Sequence, residues 1–319
     1  MKFEKRHLKV CVDIWNSCVG AGEVVFKPMD EKTFEETFLS PNYKSIGVVR
    51  ENKACEVVGF SFGCVCEKTG YVSYIGVHRD HRRKGIGREL YFELEKEILA
   101  ENPDVEKIDC MFYNPCSLPW IIPNHAPHEH AGVPGVDMES DAYKFFKSIG
   151  FDDYAVQRAY YMPLENFKLP RDFEERKERL INQGVEICYF DKEKHQGFSQ
   201  LFDNLKNDGW RKGVMSRLDE KIVVAVKDSR VIGYTGPLIV SPAGRGTFCG
   251  VGVHTDYRSY GIGKVIFSTL CYGLKEMGTE YISLFTGEEN PAKFMYESIG
   301  FMLVRKFSCM RKKLNVKKI

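Results

Sequence analysis

The chain repeats itself, and that constrains its fold more than any composition figure. YIGVHRDHRRKGIGRELYFELEKEI at 74–98 and GVGVHTDYRSYGIGKVIFSTLCYGL at 250–274 share V-H-x-D-x-R-x-x-G-I-G in register, 176 residues apart. A second pair, AYKFFKSIGF at 142–151 and AKFMYESIGF at 292–301, recurs after only 150, so the first copy carries 26 more residues between its two motifs. Self-similarity over about 150 residues is far longer than a solenoid period and matches duplicated domains of ordinary size. The boundary is expected near PLENFKLPRDFEERKERL, where apolar periodicity gives way to charge, dividing the 319 residues into 1–165 and 166–319.

Each copy reads as strands, helix, strand, helix, strand. In the first, SIGVVREN, VVGFSFGCVC and GYVSYIGVH precede a helix from Gly87 to about Leu99 with Leu90, Leu94 and Ile98 at helical spacing. KIVVAVKD, RVIGYTGPLIV and GTFCGVGVH precede a helix over 263–277 in the second. A further strand follows in each (Lys107 to Phe112; Tyr281 to Phe285), then a short helix for which Gly150 and Gly300 suit a left-handed cap. The fold class is α/β in the α+β sense: two tandem domains, each a mixed, mostly antiparallel sheet flanked by helices.

Composition excludes several partners. With 46 Lys and Arg against 44 Asp and Glu, the formal charge is only +2, so no global field draws nucleic acid or an anionic membrane. No stretch approaches 18 apolar residues, and the opening MKFEKRHLKVCVDIW lacks a leader's apolar core. Eleven scattered cysteines form no C-x-x-C pair or secreted framework, which suits reduced thiols in a cytoplasm.

A strand running into R-x-x-G-x-G and then a helix aims free backbone N–H groups at one point, and the positive end of the helix dipole favours an anion there. In the first copy that loop is Val77, Arg82, Arg83, Lys84, Gly85, Ile86, Gly87 and Arg88; in the second it is Val253, Arg258, Ser259, Tyr260, Gly261, Ile262, Gly263 and Lys264. A dinucleotide fingerprint would need a third glycine three residues on, and a P-loop would need glycine where Arg258 stands. A bare strand-to-helix packing turn would not need the arginine twice.

These residues resemble the GNAT superfamily of acyl-CoA-dependent N-acyltransferases. The match is V-x-x-x-x-R-x-x-G-x-G at Val77–Gly87 and Val253–Gly263, with N-x-A-x-x-x-Y-x-x-x-G-F at Asn290–Phe301, and it covers most of both halves. The resemblance implies two tandem GNAT-like domains. It also implies acetyl-CoA as co-substrate, with its pyrophosphate on the glycine loop, pantetheine between splayed strands, and direct acetyl transfer to a primary amine of a small molecule or peptide. In the family the second motif's tyrosine protonates the leaving thiolate; here that is Tyr296, and Asn290 lies near the pantetheine arm. The first copy has Phe146 and Ser140 at those positions, so the second copy is expected to be catalytic, with Tyr143 a remote substitute in the first. The alternative is a non-catalytic acyl-CoA sensor built from degenerate domains.

An alkylammonium must lose a proton before it attacks a thioester. The glutamate many family members carry six residues before the motif's valine is replaced by Tyr71 and Thr247. Glu288, Glu289, Asp203 and Asp208 are the remaining candidates. The insertion, near 113–139, is expected to be an ordered loop with neither helix nor strand, holding Trp120, Ile121 and Ile122 beside the first copy's acceptor entrance. Its His125, His128 and His130, with Glu129 and Asp137, are metal-ligand types, but H-x-x-H-x-H matches no helical i, i+4 pair and no metal is expected.

Overall fold

A computed structural model describes residues 1–314. They form two compact units: Met1–Ala159 with Phe285–Glu289 and residues 304–314, and Tyr160–Leu284 with Asn290–Leu303. The division at 165 and 166 keeps each copy contiguous along the chain, whereas in the structure 285–289 and 304–314 pack with the first copy. The cause is the strand that ends the described chain, which pairs with a strand of the first unit.

In the first unit, helices α1 (Leu8–Gly20) and α2 (Glu31–Phe38) precede a meander of β1 (Lys44–Glu51), β2 (Val57–Cys66) and β3 (Thr69–Val77). Helix α3 (Ile86–Glu101) then crosses to β4 (Lys107–Cys110), parallel to β3. Three two-residue strands follow in the insertion: β5 (Trp120–Ile121), β6 (Glu129–His130) and β7 (Val136–Asp137). The insertion is ordered, as Trp120 and Ile122 suggested. Contrary to the sequence reading it does hold strands, because the prolines interrupt pairing only after every few residues. Helix α4 (Asp141–Ser148) and β8 (Asp152–Pro163) complete the copy.

The second unit contains α5 (Phe173–Asn182), β9 (Glu186–Tyr189), α6 (Phe198–Leu205), α7 (Asp208–Met215), β10 (Val223–Lys227), β11 (Arg230–Thr235), β12 (Ile239–Val240), β13 (Arg245–Thr247) and β14 (Val251–Val253). Along the chain, helix α8 (Ile262–Glu276), β15 (Tyr281–Gly287), α9 (Ala292–Ile299) and β16 (Met302–Lys313) follow, the end of β15 from Phe285 and the run of β16 from Val304 belonging to the first unit. Strands β14, β11, β10 and β9 form an antiparallel sheet, while β13 pairs with β12 antiparallel and with β15 in parallel. The mixed, mostly antiparallel character expected from the sequence is what both units have. Within the charged boundary segment, residues from Phe173 onward form helix α5, whose buried Phe173 and Leu180 join Leu164 and Phe167 in the second unit's core.

In the first unit the sheet order is β1-β2-β3-β4-β16, with β7 also on β16. One face carries α3 and α4 through Leu90, Leu94, Ile98 and Phe146. The other carries α1 and α2 through Trp15, Phe34 and Phe38 on Phe60, Phe62 and Tyr74. Side chains alternate between the faces of each strand, which is why β2 and β3 are apolar on both.

Candidate functional site

The motif's non-glycine residues build the turn. His78 Nδ1 accepts the Asp80 amide at 3.4 Å and His254 Nδ1 accepts that of Asp256 at 3.3 Å, capping a short 3-10 turn in each copy. Arg82 Nε donates to the Val77 carbonyl at 2.9 Å, and Arg258 Nε to that of Val253 at 3.3 Å, tying the turn to its strand. The first arginine is therefore a turn fastener in both copies rather than a free charge. Gly85 and Gly261 then take φ of 84° and 80°, the left-handed region that favours glycine, and start α3 and α8.

Beyond the turn the parallel strands part early in both copies: in the second, β13 meets β15 only at Arg245↔Tyr281 and Gly246↔Ile282, and β14 pairs with β11 instead. In the first, β3 pairs with β4 from Thr69↔Lys107 to Tyr71↔Asp109 and no further, and β4 ends at Cys110, two residues before the expected Phe112. Opposite β2 the ladder shifts register between Phe62 and Gly63, so Ser73 is an extra residue in β3. A Cβ on Gly63 would stand 2.4 Å from the Tyr71 carbonyl oxygen, so this bulge requires glycine. Asn114 spans the parting strands: its Nδ2 donates to the Val72 carbonyl and to Ser73 Oγ, both at 3.2 Å, and its Oδ1 accepts the Cys116 amide at 2.9 Å. Nothing in the motif spacing pointed to Asn114.

Where β3 and β4 part lies a cavity of about 870 Å³. Val77, Arg82, Arg83, Gly85, Ile86, Gly87 and Arg88 line it from the turn, and Phe145 and Phe146 from α4. Glu23, Phe26, Cys116 and Leu118 line it from the α1–α2 loop and the insertion, so it is bounded from both faces of the sheet. Space beside Gly85 is open, and Arg88 donates to the Ser148 carbonyl at 3.2 Å on the rim. Lys84 turns away to the Asp80 carbonyl at 2.9 Å. Arg82 Nη2 reaches Glu23 at 2.6 Å, and this hydrogen bond holds the Glu23 carboxyl below the usual range. Tyr143 bonds Asp153 at 3.0 Å and does not line the cavity.

Around the second turn an acid is already in place. Asp172 accepts from Arg176 Nε at 2.6 Å and from Lys264 Nζ at 3.2 Å, while Arg176 Nη1 lies 3.7 Å from where a Cβ on Gly261 would sit. Ile262 is buried, and Ser259 and Tyr260 complete the 3-10 turn, with Tyr260 packed on Tyr257. Tyr296 is buried against Phe267, Phe301 and Tyr160 at ring separations of 5.1, 5.9 and 6.1 Å, and burial pushes its phenol up to about 12. Asn290 Oδ1 accepts the Ala292 amide at 3.0 Å and so starts α9.

A family model described as "Acetyltransferase (GNAT) family" matches residues 11–114 and 183–301, taking in both glycine turns. The chain belongs to the GNAT acetyltransferase family. Over 76 residues this GNAT chain is 29% identical to the [ribosomal protein bS18]-alanine N-acetyltransferase of Haemophilus influenzae, a match spanning 24% of the chain and 51% of that enzyme, about half its length. Among solved structures it superposes on a fungal glucosamine N-acetyltransferase region (TM-score 0.68, 16% identity), with 98% of this chain and 37% of that larger protein covered. It also superposes on a GNAT acetyltransferase of Sphaerobacter thermophilus (0.62, 14%; 95% and 91% covered). A tandem GNAT protein of the clavulanic acid pathway matches at 0.55 and 17% (96% and 95% covered). At these identities the superpositions establish a tandem GNAT fold.

Of the base candidates, Glu288 is held by Arg158 at 3.1 Å and Lys306 at 3.4 Å, and Asp203 is paired with Arg211. No helix among the described residues is long and apolar enough to cross a membrane. Among them, too, no three His, Cys, Asp or Glu side chains converge on a possible metal position.

Segment 135–137 fills the place β4 leaves beside β16: Gly135 bridges Met111, while Val136 and Asp137 pair with Ser308 and Phe307. A Cβ on Gly135 would stand 2.4 Å from the Ser308 carbonyl oxygen. Gly135→Ala is expected to cost about 1–3 kcal/mol through this backbone contact, read as a lower urea midpoint.

Proposed function

We propose that the protein is an N-acetyltransferase that moves an acetyl group from acetyl-CoA to a primary amine of a small molecule or peptide, directly within a ternary complex. We place acetyl-CoA in the first unit. The observation that carries this reading is the cavity where β3 and β4 part, running to a glycine turn beside which space is open. The turn, the start of α3, and the charges of Arg83 and Arg88 fit a pyrophosphate. Parted strand edges leave main-chain groups for an extended amide chain and for a tetrahedral oxyanion. In the second unit Asp172 already takes hydrogen bonds from Lys264 Nζ and Arg176 Nε, so one of their two charges is offset and those two donors are engaged within the protein.

Titration calorimetry with acetyl-CoA is expected to give one molecule per chain. Gly87→Trp, whose indole would project into the cavity, should weaken that binding by about 100-fold or more, roughly 2.7 kcal/mol. Unchanged binding in this variant would remove the first-unit reading.

A second reading puts chemistry in the second unit, with Tyr296 as acid and Asn290 and the turn at Val253–Lys264 around the cofactor. It is favoured by the buried phenol, which keeps its proton at neutral pH. Tyr296→Phe separates the two in an amine-panel assay counted by mass spectrometry. A fall of about 100-fold or more supports the second reading, and turnover near wild type supports the first. Tight acetyl-CoA binding with no turnover on any amine would point to a sensor instead.

A further inference from the structure

Four carboxylates line the first unit's cavity: Glu23, Asp137, Glu139 and Asp141. Glu23 is neutralised by Arg82, Glu139 is exposed and paired with Arg305, and Asp141 stands almost fully in solvent near Lys144. Asp137 differs: its side chain is only 15% exposed. Oδ1 accepts the Glu139 amide at 2.9 Å, while Oδ2 lies 3.7 Å from Arg305 Nη1, beyond hydrogen-bonding distance. Arg305 on β16 and Glu139 on the same loop are the charged groups acting on it, and burial outweighs Arg305, raising its carboxyl above the usual range.

Its placement follows from the pleat. Val136 packs in the cluster under α3 and α4, so Asp137 points to the opposite face, where its pair partner Phe307 meets Trp120 at 5.0 Å. The cavity is bounded on that face by the α1–α2 loop and the insertion, and the glycine turn lies at the start of α3. Donor and acceptor can thus reach the parted strands from opposite faces.

We propose that Asp137 is the general base of the transfer, its Oδ2 taking a proton from the acceptor's ammonium group on the α1–α2 face of the cleft. The free amine then attacks the thioester carbonyl, forming the C–N bond. As the C–S bond breaks, the surplus proton on nitrogen passes to the departing thiolate, giving amide and coenzyme A thiol, and Asp137 releases its proton to solvent. No tyrosine is needed, which accommodates Phe146. This rests on the first-unit reading of the function.

The test uses the full chain with acetyl-CoA, the best alkylamine from the panel, and hydroxylamine, which needs no deprotonation at neutral pH. Asp137→Asn should lower kcat/KM for the alkylamine by about 100-fold or more and flatten the acidic limb of its pH profile. The loss with hydroxylamine should be under about tenfold, with acetyl-CoA affinity within about threefold of wild type by calorimetry. Asp137→Glu should restore part of the rate. A carbon-13 titration of aspartate carboxyls should show one signal, lost in Asp137→Asn, above the ordinary range. Equal losses with both nucleophiles, an unchanged pH profile, or joint loss of acetyl-CoA binding would overturn the assignment. If Asp137→Asn does not fold, Asp137→Ser takes its place. Turnover that survives Gly87→Trp would instead sink the first-unit reading, and Asp137 with it.

Discussion

Arg311→Met is expected to lower the unfolding free energy by about 3–5 kcal/mol, among the largest effects of any single change in this chain. Asp109 on β4 is 1% exposed, and Arg311 on β16 meets it with two parallel hydrogen bonds, Nε to Oδ1 and Nη2 to Oδ2, both 2.7 Å. The guanidinium also lies 4.0 Å from the centre of the Tyr154 ring. Methionine keeps the length of the stem but leaves a buried carboxylate with no counter-charge, and that orphaned charge is the source of the penalty. Urea unfolding should show a lower midpoint with an unchanged slope. The double change Asp109→Leu with Arg311→Met should recover most of the loss, because an apolar pair of similar volume has no charge to desolvate. A single-variant loss below about 1 kcal/mol would mean that water reaches Asp109 in solution.

Trp120→Ala should cost about 3–5 kcal/mol, with consequences for the site as well as for stability. The indole is 1% exposed, donates Nε1–H to the Gly132 carbonyl at 3.2 Å and packs edge-on to Phe307. Its backbone bridges Phe26, and the Ile121 amide donates to the Val25 carbonyl at 2.6 Å, so the insertion and the α1–α2 loop are fastened through this point. Removing the ring empties the middle of the insertion. Faster proteolytic cleavage within 113–139 and weaker acceptor binding should accompany the lower melting temperature. Resistance to proteolysis equal to wild type would show that the strand pairs alone hold the insertion.

Much of this was legible before any coordinates. Helix α3 begins one residue before the expected Gly87 and α8 one before Gly263, because the apolar spacing and the left-handed glycine fix those starts. Gly150 and Gly300 have φ of 93° and 114°, as a left-handed cap requires. The illegible parts were those decided by long-range pairing. The role of Arg82 is local, yet it passed for ligand chemistry because a basic residue beside a glycine loop suggests an anion first. Asp137 was weighed only as a possible metal ligand, since nothing in GVPGVDMES tells which face of a sheet that aspartate will meet. Asn114 and Asp172 left no mark in the spacing, for each acts on a partner that only the fold brings near.

The position of β16 carries a consequence for how the protein is made. Its residues 310–313 lie against β4 residues 107–110, roughly two hundred positions earlier, and Phe307 forms part of the cavity wall. While a ribosome is still adding the second copy, β4 has an unpaired edge and the first copy lacks a wall, despite having been synthesised first. The earlier half thus waits on the later one for completion. A gene that lost its second half would lose the first cleft too, which ties the two duplicates into one heritable unit even if only one of them performs chemistry.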